Sequence, residues 1–121
     1  MLIGELAVAS GLSKDTIRFY EKIGLIRAGD RIAGTRRYKE FSEQTVNRLS
    51  LIQKAKRLGF TLNEIKQTLD SWQDGSLTNG EKIQIIEEKM ADIDEQIAEL
   101  EGIKDYLDSK RTFLQNLQKA S

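Results

Sequence analysis

The sequence predicts a mainly α-helical fold: a winged helix-turn-helix domain over residues 1–75, then one long helix over residues 76–121. Three observations predict it. Two short amphipathic stretches flank a tight Ser10-Gly11 turn, and a run of Ile, Met and Leu at spacings of 3 and 4 extends from Ile83 to Leu100. Charge is also divided. Residues 1–60 hold 12 Lys and Arg against 6 Asp and Glu, a net of +6, whereas residues 61–121 hold 7 against 13, a net of −6. A neutral chain split in this way suggests a polyanion-binding half joined to a half with another task.

In the first helix, Ile3, Leu6 and Ala7 form an apolar stripe closed by Ser10-Gly11. The second helix follows at once. Ser13 is placed to accept from a first-turn amide, and Gly24 can leave the helix in a left-handed conformation. Between them Ile17 and Tyr20 share one side, while Lys14, Arg18 and Lys22 recur on another. Such a pair fits a helix-turn-helix whose second helix enters the major groove of DNA. The competing reading is an ordinary helical hairpin with a solvated basic face.

Residues 27–35 contain Gly29, Asp30 and Gly34 with no helical period and are expected to form a loop. Next comes Arg36-Arg37-Tyr38-Lys39-Glu40-Phe41. As a short strand it would point Arg37, Lys39 and Phe41 one way and Arg36, Tyr38 and Glu40 the other. A wing of this composition suits phosphate contacts beside a recognition helix. On its own it also reads as a charged surface loop.

Ser42 is the expected N-cap of a third helix, with Val46, Leu49, Ile52 and Ala55 turned inward and Arg48, Lys54, Lys56 and Arg57 on a basic outer face. Gly59 ends it. Thr61 and Glu64 match a reciprocal capping box, opening a fourth helix with Ile65, Leu69 and Trp72 on its buried side. Thr78 and Glu81 repeat the box at the start of the longest helix. There Ile83, Ile86, Met90, Ile93, Ile97 and Leu100 make a heptad seam. The strict register puts Lys104 and Arg111 at a while Leu107 and Leu114 stay at d, and Ile103 makes the seam slip near Gly102. A continuous helix from Thr78 to Leu117 would measure about 60 Å, more than a small domain can cover. Pairing with a second copy of the chain is the simplest expectation. The alternative is a helix folded back within the monomer.

Composition excludes much. The chain has no cysteine and no histidine, so disulfides, thiolate or imidazole metal sites and the usual general base are absent. Its carboxylates sit at helical surface spacing, and the chain reads as a non-enzyme without cofactor or metal. No run approaches the roughly 20 apolar residues that span a bilayer, and nothing marks a signal peptide. A cytoplasmic protein without a membrane partner is expected.

The assembled pattern resembles the MerR family of bacterial transcription regulators over nearly the whole chain. Ile3-Gly4-Glu5-Leu6-Ala7, Gly11-Leu12-Ser13, Thr16 to Glu21, Gly24-Leu25-Ile26 and Leu58-Gly59-Phe60-Thr61-Leu62 carry the likeness in order. The resemblance implies a homodimer joined by an antiparallel coiled coil of the long helices. It implies binding to a pseudo-palindromic promoter whose two polymerase-recognition elements are too widely spaced. Bending and untwisting that spacer would let RNA polymerase engage both, a control exerted through DNA deformation energy. By resemblance, Lys14, Thr16, Arg18 and Tyr20 would contact DNA from the recognition helix, and Arg36, Arg37, Tyr38 and Lys39 from the wing. Tyr38-Lys39-Glu40-Phe41 best fits the family's Tyr-Arg-x-Tyr/Phe pattern. Aligning Arg36-Arg37-Tyr38 instead requires three extra residues before Ser42, and both choices leave Arg36 to Lys39 as the wing. The dimer contacts would be Ile83, Ile86, Met90, Ile93, Ile97, Leu100, Leu107 and Leu114. The cysteines of metal-sensing members and the C-terminal domain of drug-binding members have no counterpart in the sequence. Two other readings stay open: an architectural or excisionase-like DNA-binding protein without an effector switch, and a coiled-coil protein-interaction module.

Overall fold

A computed structural model describes residues 1–120, in the order α1 (Ile3–Ser10), α2 (Lys14–Lys22), β1 (Gly29–Ala33), β2 (Arg36–Glu40), α3 (Glu43–Arg57), α4 (Leu62–Gln73) and α5 (Asn79–Ala120). The chain divides into two units, residues 1–76 and the segment from Leu77 onward.

In the first unit the apolar stripes converge on one core. Leu6 of α1, Ile17 and Tyr20 of α2, Leu49 and Ile52 of α3, and Ile65 and Leu69 of α4 are all buried, with Leu25, Ile26 and Phe41 between them. Gly11 turns the chain from α1 into α2 at φ 73°, a left-handed conformation that a Cβ disfavours. The capping box at α4 forms in full. Thr61 Oγ1 accepts from the Glu64 amide at 3.2 Å, and Glu64 Oε1 accepts from the Thr61 amide at 3.0 Å. Ser42 occupies the N-cap position of α3, yet its hydroxyl lies against Thr45 Oγ1 at 3.3 Å and accepts no backbone bond.

Two expectations are corrected here. Residues 29–33, expected as loop, are a strand pairing antiparallel with β2, from Gly29 opposite Glu40 to Ala33 opposite Arg36. Every residue of β1 is exposed, so the segment has no apolar alternation. Its strand character comes from the partner strand and the two-residue Gly34-Thr35 turn. Gly34 there takes φ 64°, the positive first position of a type II′ hairpin. Arg48, assigned to a basic outer face, is mostly buried and acts as a clamp. Its Nε donates to the Leu25 carbonyl at 2.6 Å, while one terminal nitrogen reaches Gln73 Oε1 at 2.6 Å and Asp70 Oδ1 at 2.9 Å. The clamp ties the segment leaving α2 to the last turn of α4.

The second unit is α5. Thr78 and Glu81 exchange the expected bonds, at 3.0 and 3.1 Å, and hold its first turn. The helix runs unbroken through Gly102 for 42 residues, about 63 Å at 1.5 Å per residue. No residue of α5 is buried. Of the seam, Ile83, Ile86, Met90, Ile97, Leu100, Leu107 and Leu114 are exposed and Ile93 is half-buried. Ile103, Tyr106, Phe113 and Leu117 are exposed as well. This apolar surface is what a helix shows when its seam lacks a partner.

Candidate nucleic-acid interface

The candidate interface is built from α1, α2 and the hairpin. Ser13 Oγ caps α2 by accepting from the Thr16 amide at 3.1 Å and contacts Thr16 Oγ1 at 2.9 Å. At the other end Gly24 turns at φ 84°, and the Leu25 amide closes back on the Tyr20 carbonyl at 2.8 Å. These two ends set the rotation of α2. Ile17 and Tyr20 are driven into the core, so Lys14, Arg18 and Lys22 stay exposed on the opposite surface. Arg18 is 60% exposed and rests on Asp15 at 3.2 Å, a pairing along one helical turn that solvent screens heavily.

Tyr20 stands apart from the exposed cations of α2. Its ring is only 3% exposed, and its hydroxyl lies 3.4 Å from Lys56 Nζ. It is a core residue that packs α2 on α3, with its hydroxyl at the edge of a shallow depression shared with Lys56 and Arg57. The aromatic that does face outward is Phe19, 48% exposed and tilted against the Tyr20 ring. The Ile-Arg-Phe-Tyr run contains both aromatics, and only packing separates their roles.

Between the start of α1, the outer side of α2 and β2 lies an open groove of about 730 Å³. Arg18, Arg37, Tyr38 and Lys39 line it, together with the carboxylates of Glu5 and Glu21. The antiparallel hairpin fixes the wing register, setting Ile32 opposite Arg37 and Asp30 opposite Lys39. Arg36 and Arg37 are exposed, and among the described residues their guanidinium groups have no hydrogen-bond or ion-pair partner. Lys39 is different: its Nζ lies 2.7 Å from Glu21 Oε1 on α2. Arg18, Arg37, Tyr38 and Lys39 thus line one concave surface, Lys14 and Arg36 are exposed but outside its lining, and Thr16 is half-buried beside the helix cap.

Three of the four cations expected on the outer face of α3 form a second basic area. Lys54, Lys56 and Arg57 crowd the last turn of α3, where cations complement the helix dipole. Lys56, Arg57 and Gln53 border a shallow depression beside Leu12 and Tyr20. Among the described residues no cluster of His, Cys, Asp and Glu is arranged to hold a metal ion.

An arrangement of exposed guanidinium groups on a capped helix and an adjacent hairpin can grip phosphates on both sides of a groove while presenting helix side chains to base edges. Comparison with known proteins points the same way. Residues 1–72 match the family described as MerR HTH family regulatory protein, and residues 46–110 match MerR, DNA binding. A mercuric resistance operon regulatory protein of Bacillus cereus is 49% identical over 67 residues, covering 55% of this chain and 49% of that relative. The HTH-type transcriptional regulator HmrR of Rhizobium leguminosarum bv. viciae is 35% identical, over 86% of this chain and 78% of its own length. The transcription regulator PbrR691 from Ralstonia metallidurans CH34, solved in complex with lead(II), is similar with a TM-score of 0.78 and 28% identity. That match covers 92% of this chain and 85% of the other. HiNmlR, a MerR family regulator lacking the sensor domain and bound to promoter DNA, is similar with a TM-score of 0.60 and 31% identity, over 95% of this chain and 90% of its own.

Proposed function

This chain belongs to the MerR family of DNA-binding transcription regulators, and from that premise we propose that it acts as a homodimer on a pseudo-palindromic promoter, controlling transcription by distorting the spacer DNA. The observation that carries the reading is the groove between α2 and the wing, lined by Arg18 and Arg37 in a half of net charge +6. Lys14 and Arg18 face base edges or phosphates from α2, and Arg36, Arg37 and Tyr38 hold the backbone alongside. Thr16 orders the first turn of α2 through its bonds to Ser13.

The partner for the exposed α5 seam is a second α5. Residues 79–101 carry eight acids against Lys82 and Lys89, while residues 102–120 carry Lys104, Lys110, Arg111 and Lys119 against Asp105 and Asp108. Antiparallel pairing sets the acidic stretch of one helix beside the basic stretch of the other, and parallel pairing would set acid against acid. A two-fold dimer then reads an inverted repeat, one recognition helix per half-site. Bending 20–30 base pairs of spacer costs on the order of 1–6 kcal/mol, which the additional phosphate contacts offset. RNA polymerase is the partner that profits from the altered spacing, and the cytoplasm is the compartment where the two meet. Among the described residues no helix is long and apolar enough to cross a membrane.

The experiment uses a duplex that the protein itself selects from a random-sequence pool. Titration should give two protomers per inverted repeat, with binding that weakens steeply as salt rises. Fluorophores at the duplex ends should move closer on binding. One protomer per duplex would remove the dimer, and an unchanged end-to-end distance would remove the distortion.

A further inference from the structure

Lys39 looks like a wing phosphate ligand in the sequence, but its ammonium lies 2.7 Å from Glu21 Oε1 across 18 residues of chain. The Glu21 side chain is only 21% exposed and belongs to α2, while Lys39 is 63% exposed and belongs to β2. Both line the groove between helix and wing. We infer that Glu21 and Lys39 are positioning residues: the pair straps the wing to the recognition helix and neutralises a carboxylate that would otherwise face the DNA backbone. The inference rests on the DNA-binding reading given above. It has a physical consequence that a ligand role lacks. A pair of zero net charge releases no counterion from DNA, so Lys39 adds nothing to the salt dependence of binding, whereas a phosphate ligand adds about 0.9 to its slope.

The test compares wild type, Lys39→Met, Glu21→Gln, the double neutral variant Glu21→Gln/Lys39→Met and the swap Glu21→Lys/Lys39→Glu. Each is titrated at several salt concentrations on the duplex selected by the wild-type protein and on a scrambled duplex. The strap predicts that Lys39→Met binds about tenfold more weakly, the size of one coupled charge pair. The double neutral variant loses the strap but also the unpaired carboxylate, so it binds between Lys39→Met and wild type and keeps the wild-type salt slope. The swap binds better than Lys39→Met. Thermal unfolding of each variant separates a loosened wing from a lost fold. The inference is overturned if the double neutral variant is as weak as Lys39→Met with a slope lower by about 0.9, or if Glu21→Gln tightens binding by freeing Lys39. A wild-type protein that selects no duplex removes the DNA-binding reading itself, and the strap with it.

Discussion

Arg18 and Tyr20 stand two residues apart on α2 and meet opposite surroundings. The guanidinium is 60% exposed at the groove, and the phenol ring is 3% exposed in the core. Their substitutions should therefore fail in different assays. Arg18→Ala should leave the melting temperature nearly unchanged and weaken binding to the selected duplex by about 1–3 kcal/mol if it touches a base edge, relaxing preference at one position per half-site. If it holds phosphate, all sequences should weaken alike and the salt slope should fall. Unaltered binding in both Arg18→Ala and a combined Arg36→Ala/Arg37→Ala variant would exclude this surface as the DNA-reading face. Tyr20→Ala should cost about 3 kcal/mol or more by leaving a cavity, while Tyr20→Phe keeps the packing and loses only a long hydrogen bond. Denaturant unfolding reads the first effect. Intact folding with abolished DNA binding in Tyr20→Phe would show that the hydroxyl, and not the packed ring, is what the residue contributes.

α5 depends on its first turn and on its seam, and each can be perturbed separately. The Glu81 carboxyl accepts from the Thr78 amide, and this bond, reinforced by the Thr78 side chain, holds its pKa below the ordinary 4.5. A depressed folded value means that the stabilisation is complete above the unfolded value and is lost as pH falls through the lower folded one. Amide exchange in the first turn of α5 should therefore accelerate as pH is lowered from about 6 to about 3, after correction for intrinsic rates, and Glu81→Gln should flatten that response. The same protection at both ends of the range would discount the box. For the seam, Ile93→Asp/Ile97→Asp would place unpaired carboxylates in the helix pair at a cost of several kcal/mol. Sedimentation should then report a monomer. A dimer that persists in the double variant would move the interface elsewhere.

Over the whole molecule, the mercury- and lead-associated relatives raise the question of metal response. The 121 residues contain no cysteine and no histidine, and the two thioethers are Met1 and Met90, the latter on the seam. Soft ions select thiolate, imidazole or clustered thioether donors, and among the described residues no group of carboxylates is arranged to hold a borderline ion. DNA binding by this chain should be indifferent to Hg(II), Pb(II), Cu(I) and thiol oxidants. Isothermal titration that finds a stoichiometric, tight complex with any of these ions would refute that.

The sequence by itself determined whatever depends on neighbours three or four residues away. The Ser13 cap, the Thr61–Glu64 and Thr78–Glu81 boxes and the α5 seam each close within one helical turn or repeat along one helix, so spacing alone reveals them. The two basic faces and the split of charge were legible for the same reason. Tertiary structure decided the contacts that join distant segments. Only packing shows that Tyr20 is core while Phe19 is exposed, that Arg48 clamps Leu25 to Asp70 and Gln73, and that Lys39 turns back to Glu21. β1 likewise has no apolar pattern of its own and becomes a strand because β2 lies beside it. A hydrophobic period records which face of an element is buried. Where a long cationic side chain finds its partner depends on which element is brought alongside, and that is settled only when the core closes.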